Sequence, residues 1–132
     1  MAILTLLAEH AADLMTRDPV SLDATTTASD AARILTTRGF GAAVVIDPAG
    51  HPLGVVTKTD LLTRARGGVA SEDATPIRNV MTTAVFSVKT DTPASSVVDQ
   101  FLALNVHHLF VIDSSGVLVG VISPIDVLKK LG

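Results

Sequence analysis

Apolar residues follow the same succession of helical and strand patterns twice along the chain. In the first half, apolar residues at 28, 31, 32 and 35 lie at the spacing of one helix face. Continuous apolar runs at 43–46 and 53–56 predict two buried strands, joined by the turn Asp47–Gly50. A short strand precedes the predicted helix and a second helix follows the last strand, so each half is predicted to be strand, helix, strand, strand, helix.

Residues of helix-capping type indicate where these helices begin and end. Thr27 followed by Asp30 predicts the start of the first long helix, and Gly39 predicts its end. In the second half, Thr92 is the predicted cap and Pro93 the first helical residue. The apolar face of that second long helix is predicted to contain Ala94, Val97, Val98, Phe101 and Leu102.

The two halves are copies of one another, offset by 66 residues. Aligned without a gap, residues 15–64 and 81–130 share 14 identical residues in 50 pairs. Copies of this kind usually bury their apolar faces against each other. We therefore expect one compact α+β module, with a repeat at 11–65, a linker at 66–76 and a second repeat at 77–131, related by an approximate twofold axis.

Composition argues against several functional classes. The formal charge is −3 and the ten Lys and Arg residues are scattered, so the chain has no basic stripe for nucleic acid. Cysteine is absent, which excludes disulfides, thiolate metal sites and a cysteine nucleophile. No apolar run approaches the roughly 20 residues of a membrane helix, and the N-terminus has no basic signal-peptide region. We expect a cytoplasmic protein that contacts no membrane.

The strongest motif is Gly-x-x-(Thr/Ser)-x-x-Asp, at Gly54–Asp60 and again at Gly120–Asp126. One interpretation is structural: Thr57 and Ser123 cap helices, with aspartate in place of the glutamate that is commoner in a capping box. The other is functional: N–H groups at a helix start suit a phosphate, and a neighbouring carboxylate accepts hydrogen bonds from ribose hydroxyls. The residues alone leave both interpretations open.

The order of motifs in each half resembles a known family. A Met-Thr pair (Met15-Thr16, Met81-Thr82), an apolar-apolar-Asp-x-x-Gly turn and the Gly-x-x-(Thr/Ser)-x-x-Asp motif, all duplicated, are similar to the CBS (cystathionine β-synthase) domain pair, or Bateman module. The resemblance covers about residues 11–131. It implies a regulatory module that binds AMP, ADP, ATP, S-adenosylmethionine or a dinucleotide in the cleft between the repeats, with no required cofactor.

The resemblance also implies two ligand sites, called site A and site B. In each, the aspartate of one motif holds ribose, the hydroxyl residue contacts ribose or phosphate, and the valine contacts adenine. The first strand and the pre-strand loop of the other repeat are expected to complete the site. Site A then contains Val55, Thr57, Asp60, Thr82, Phe86, His107 and His108. Site B contains Val121, Ser123, Asp126, Thr16, Val20, Phe40, Gly41 and Ala42.

The expected sites differ in the loop before the second strand. His107-His108 stands where nucleotide-binding relatives often place a basic pair that grips phosphate, whereas the first repeat has Gly41-Ala42. A strand edge with one packed and one solvated ring is the alternative interpretation of the histidines. We expect site A to be the better nucleotide site, with tighter binding below about pH 6.5. Lys58 is a further candidate phosphate contact.

Two functions remain open from the sequence. The first is a ligand-sensing module that signals to an unknown effector protein, and the second is a structural or dimerisation module that binds no nucleotide. No catalytic triad order, metal-ligand spacing or Walker-type loop points to an enzyme. An apolar content of 48% favours a homodimer. The family resemblance implies that its interface consists of the helical segments Leu61–Ala65, Val127–Leu131, Ala28–Leu35 and Ala94–Leu102.

Overall fold

A computed structural model of the chain describes residues 3–65, 73–83 and 85–132, and over these residues the fold contains five α-helices and two sheets. The helices are α1 (Ala11–Leu14), α2 (Ala28–Arg38), α3 (Lys58–Ala65), α4 (Ala94–Leu104) and α5 (Pro124–Leu128). The strands are β1 (Thr16–Arg17), β2 (Ser21–Asp23), β3 (Ala42–Ile46), β4 (Pro52–Thr57), β5 (Ser87–Lys89), β6 (Leu109–Ile112) and β7 (Leu118–Ile122). A single 3₁₀ turn spans Ile77–Asn79.

The chain divides into two compact units. Val20–Val85 forms the central unit, and Met1–Pro19 together with Phe86–Gly132 forms the terminal unit. The mixed α+β class predicted from the sequence is therefore confirmed. Most of the predicted linker, at 66–72, lies outside the described residues.

The central unit is a three-stranded sheet covered by α2. Its strand order is β2-β3-β4, with β2 parallel to β3 and β3 antiparallel to β4. Thr27 caps α2 by accepting the Asp30 N–H at 3.1 Å, and Gly39 ends the helix in the left-handed region at φ +70°. The buried core of this unit consists of Leu22, Ala31, Leu35, Ala43, Val45, Val56 and Ile77.

The terminal unit is a four-stranded sheet covered by α4. Its strand order is β1-β7-β6-β5, with β5 parallel to β6 and the other neighbours antiparallel. Asn105 ends α4 with φ +52°, at the position equivalent to Gly39, since asparagine tolerates the left-handed conformation. The buried core consists of Ala11, Leu14, Val88, Ala94, Val97, Leu109, Val111, Ile122 and Val127.

Each unit combines the beginning of one repeat with the strands and helices of the other. In the terminal unit, the Ala11 N–H donates to the Thr92 carbonyl at 2.8 Å. In the central unit, the Ile77 N–H donates to the Thr26 carbonyl at 2.7 Å. The two donors, Ala11 and Ile77, are 66 positions apart, and so are the two acceptors, Thr26 and Thr92. The same contact is therefore made once in each unit. The compact units therefore do not coincide with the sequence repeats.

Strand β1 and the equivalent segment at Thr82 each pair with a strand of the other repeat. Thr16 in β1 pairs with Val121 of β7. The hydrophobic pattern did not predict β1, because this strand has only two residues, both exposed. In the central unit, Thr82 and Val55 exchange two backbone hydrogen bonds, each at 2.8 Å.

Two details of the second long helix differ from the sequence-based prediction. Pro93 lies at the N-cap of α4 rather than at its first helical position, and the Thr92 hydroxyl accepts the Lys89 N–H at 2.9 Å in the preceding turn. Leu102 is 79% exposed, so it does not belong to the buried face that contains Ala94 and Val97. A residue at helical spacing can still face outward, because the sheet covers only one side of the helix.

Candidate functional site

The motif at Gly54–Asp60 forms a complete capping box at the start of α3. Asp60 Oδ2 accepts the Thr57 N–H at 2.9 Å and the Thr57 hydroxyl at 3.1 Å. In return, the Asp60 N–H donates to the Thr57 hydroxyl oxygen at 3.2 Å. The threonine and the aspartate are therefore held in one geometry at the end of β4.

The motif at Gly120–Asp126 forms the same box at the start of α5. Asp126 Oδ2 accepts the Ser123 N–H at 2.8 Å and the Ser123 hydroxyl at 3.0 Å. The Asp126 N–H donates to the Ser123 hydroxyl oxygen at 3.4 Å. Pro124 occupies the first position of the helix, where no N–H is needed. The structural interpretation of both motifs is thus correct.

The capping role does not exclude the functional one, because it uses only one carboxylate oxygen. In the described part of the chain, the hydrogen bonds to Asp60 and Asp126 all reach Oδ2, and Oδ1 of either residue accepts none. Both side chains are partly exposed. Each unit therefore holds an oriented carboxylate oxygen that is able to accept a hydroxyl from a ligand.

The loop before each hairpin lies beside the box of the same repeat. In the central unit, Ala42 pairs directly with Thr57 across β3 and β4, and the Lys58 N–H donates to the Gly41 carbonyl at 2.8 Å. In the terminal unit, Leu109 pairs with Ile122, so the preceding His108 lies next to the end of β7. An antiparallel hairpin always brings the start of its first strand beside the end of its second.

His108 is the one site residue with a shifted pKa among the described residues. Partial burial lowers the pKa of its imidazole, and the neighbouring His107 lowers it further. The Asp126 carboxylate opposes both effects by attracting the protonated ring. His108 is therefore within electrostatic range of the Asp126 carboxylate in the terminal unit's capping box.

The residues predicted for sites A and B are distributed over both units, and the two sites stay predictions. Thr82 lies with the Asp60 box and Thr16 with the Asp126 box, as expected. The histidines and Phe86, however, lie in the unit of Asp126, and the loop at 40–42 and Val20 lie in the unit of Asp60. The central set is Val20, Phe40, Gly41, Ala42, Val55, Thr57, Asp60 and Thr82. The terminal set is Thr16, Phe86, His107, His108, Val121, Ser123 and Asp126.

The position of each loop beside the box of its own repeat follows from the sequence. Each predicted pair of strands is a hairpin with a four-residue turn, and hairpin geometry alone brings 40–42 to Thr57 and 107–108 to Ser123. Each unit also exposes one phenylalanine from its set: Phe40 is 51% exposed and Phe86 is 41% exposed. These rings lie at non-equivalent positions of the repeat. Each unit therefore exposes one flat apolar surface, but from a different part of the repeat.

Over the described residues, no group of three or more His, Asp or Glu side chains is arranged to hold a metal ion. Within the same residues, no helix is both long enough and apolar enough to cross a membrane. Both sets offer hydroxyls, a carboxylate and apolar surface, and the terminal set adds the imidazoles of His107 and His108.

Comparison with protein families identifies the family to which this chain belongs. The model of the CBS domain matches residues 11–67 and again residues 77–132. The chain belongs to the CBS-domain family. It is a tandem CBS pair, and CBS domains are in general regulatory rather than catalytic.

Individual relatives agree with the family match. The chain is 28% identical over 125 residues to a 5'-AMP-activated protein kinase subunit gamma of Kluyveromyces lactis, which covers 89% of this chain and 38% of that protein. An uncharacterised protein of Methanopyrus kandleri is 25% identical over 113 residues, covering 86% of this chain and 58% of the relative. The chain thus spans between about two fifths and three fifths of these curated relatives.

Solved structures share the fold over nearly the whole chain. The cytosolic domain of the Mg²⁺ channel MgtE, solved in complex with ATP, has a TM-score of 0.78 and 27% identity. The match covers 92% of this CBS pair and 48% of that chain. A putative acetoin utilization protein from Vibrio cholerae has a TM-score of 0.78 and 28% identity, covering 94% and 90% of the two chains.

Proposed function

We propose that this CBS pair is a regulatory module that senses adenosine nucleotides, with one site built on the central set and one on the terminal set. The observation that carries the proposal is the pair of capping-box aspartates, each holding Oδ2 in the helix cap and leaving Oδ1 unbonded in the described structure. The MgtE relative solved with ATP and the AMP-activated kinase subunit support an adenosine nucleotide as the ligand class.

The proposed contacts follow from the chemistry of each set. The two ribose hydroxyls donate to Oδ1 of Asp60 or Asp126, which accepts strongly because it is charged. The adenine ring packs against Val55 or Val121 and the exposed phenylalanine of the same unit. In the terminal set, His107 and His108 face the phosphate, and protonation of His108 strengthens that contact.

A thermal-shift series tests the proposal. AMP, ADP, ATP, S-adenosylmethionine and NAD are each added at about 100 times the dissociation constant measured for that ligand by calorimetry. A true ligand then adds about 2.7 kcal/mol to the free energy of unfolding, which raises Tm by roughly 10 °C for a chain of this size. The control is the double variant Asp60→Asn/Asp126→Asn, for which we expect no shift.

The alternative function is a structural module that binds no nucleotide. It is supported by the completeness of both capping boxes and by exposed leucines such as Leu62, Leu102 and Leu128. Absence of a shift with every ligand, and no heat of binding by calorimetry, would favour it. The homodimer, the effector protein and the cytoplasmic location remain proposals, and light scattering at micromolar concentration measures the first directly.

Nucleotide binding in the terminal unit is expected to depend on pH through His108. Between pH 8.0 and 6.0, AMP affinity should rise toward a limit of about fivefold, because a charged hydrogen bond to phosphate is roughly 1 kcal/mol stronger than a neutral one. The lowered pKa of His108 places most of this rise toward the acidic end. Calorimetry in an Asp60→Asn background, which leaves the terminal set intact, measures it.

In the same background, His108→Ala should flatten this pH profile, whereas His10→Ala, at the exposed N-cap of α1, should leave it unchanged. An unchanged slope in His108→Ala would remove His108 from phosphate recognition.

A further inference from the structure

The two sets differ in which element provides a positive charge. The loop before β6 carries His107 and His108, whereas the equivalent loop before β3 has Gly41 and Ala42. At the first residue of the following helix the situation is reversed, because α3 begins with Lys58 and α5 begins with Pro124. Each unit therefore carries a basic side chain on only one of these two elements: on the first residue of α3 in the central unit, and in the loop before β6 in the terminal unit.

The backbone of Lys58 is tied to the loop that lacks histidines. Its N–H donates to the Gly41 carbonyl at 2.8 Å, which links the start of α3 to the residue before β3. Pro124 has no N–H and cannot form this link in the terminal unit.

The side chain of Lys58 lies against the same loop. An ideal Cβ built on Gly41 would lie 3.9 Å from Lys58 Cδ, so the methylene stem runs beside the position where the terminal unit has its first histidine. Lys58 is exposed, and it forms no ion pair with any residue that the structure describes. Its ammonium group is therefore available to a ligand in the central set.

We propose that Lys58 is the phosphate-recognising cation of the central unit, in the role that His107 and His108 have in the terminal unit. This inference rests on the proposed nucleotide function of the same site. It assigns the central unit a phosphorylated ligand, such as a nucleoside monophosphate, where the sequence alone indicated a loop without cations.

The test compares AMP with adenosine, which lacks the phosphate, in an Asp126→Asn background that leaves the central set intact. Lys58→Met keeps most of the apolar stem and removes the charge. We expect it to weaken AMP binding about tenfold, equivalent to about 1.4 kcal/mol, and to leave adenosine binding unchanged. Lys58→Arg should retain AMP affinity within about threefold, because a guanidinium also binds phosphate. Lys89→Met, an exposed lysine in β5, is the matched control and should behave as the parent.

The outcomes separate this inference from the function on which it rests. Equal AMP affinity in Lys58→Met and Lys89→Met, with binding still lost in Asp60→Asn, would overturn the role of Lys58 and leave the nucleotide site standing. An equal loss of AMP and adenosine binding in Lys58→Met would also overturn it, because the lysine would then act on the fold of the loop. No binding of AMP to the unmodified protein would overturn both.

Discussion

Replacing Gly54 with alanine is expected to lower the free energy of unfolding by about 3 kcal/mol, because β4 has no room for a Cβ at this position. An ideal Cβ would lie 2.6 Å from Met81 Sδ and 2.7 Å from the Thr82 carbonyl oxygen. The sulfur belongs to a flexible side chain, but the carbonyl is backbone and accepts the Val55 N–H at 2.8 Å. Relief of the contact therefore requires residue 82 to separate from β4.

The chain offers two matched glycine controls for this experiment. At Gly41, a Cβ would meet only Lys58 Cδ at 3.9 Å, so Gly41→Ala should change the unfolding free energy by about 0.5 kcal/mol or less. At Gly120, all three close neighbours belong to the Met15 side chain, and Gly120→Ala should cost about 1–2 kcal/mol. Urea denaturation measures the unfolding free energy of all three variants. If Gly54→Ala were as stable as Gly41→Ala, that result would contradict the tight packing of residue 82.

Replacing Asp126 with asparagine is expected to weaken AMP binding in the terminal unit about 100-fold, as for the loss of two hydrogen bonds of about 1.4 kcal/mol each to a charged acceptor. The asparagine oxygen can still accept the Ser123 N–H in the cap. Its amide nitrogen then replaces Oδ1 and cannot accept a ribose hydroxyl. The unfolding free energy should fall by about 1 kcal/mol or less. Calorimetry in the Asp60→Asn background measures the affinity.

Asp113→Asn is the matched control in the same unit. Asp113 Oδ1 accepts the Ser115 N–H at 2.8 Å and the Val117 N–H at 3.0 Å in the turn between β6 and β7. Its replacement should therefore perturb a local carboxylate without changing AMP affinity. If Asp126→Asn and Asp113→Asn bind AMP equally well, the aspartate of the box is a helix cap only.

The local elements were predictable because their signals are local. The apolar runs at 43–46 and 109–112 became β3 and β6, and the left-handed residues Gly39 and Gly50 lie where the helix and turn were predicted to end. Thr27 caps α2 as predicted. The start of α4 was misplaced by one residue, since the sequence did not show that Thr92 would bond back to Lys89.

Local parts of each candidate site were predictable from the sequence. Both motifs form the expected capping boxes, and Thr82 and Thr16 lie beside Val55 and Val121. The assignment of His107 and His108 to the site of Asp60 stays a prediction, since it comes from the family resemblance and not from the hairpin that joins 109–112 to 118–122. Only the unbonded Oδ1 atoms, which depend on side-chain orientation, had no signal in the sequence.

The sequence by itself determined the duplicated order of elements, the turn residues and the Thr/Ser-x-x-Asp helix starts, since each depends on residues within a few positions of one another. The residues by themselves left open which returning strand each first segment pairs with, because both segments carry the same Met-Thr pair; the family resemblance implied that the repeats exchange these segments, and the tertiary structure shows it. Only the tertiary structure decided that Lys58 lies along Gly41 and that Leu102 is exposed. These features arise from contacts between residues distant in the chain, for which composition and periodicity carry no signal.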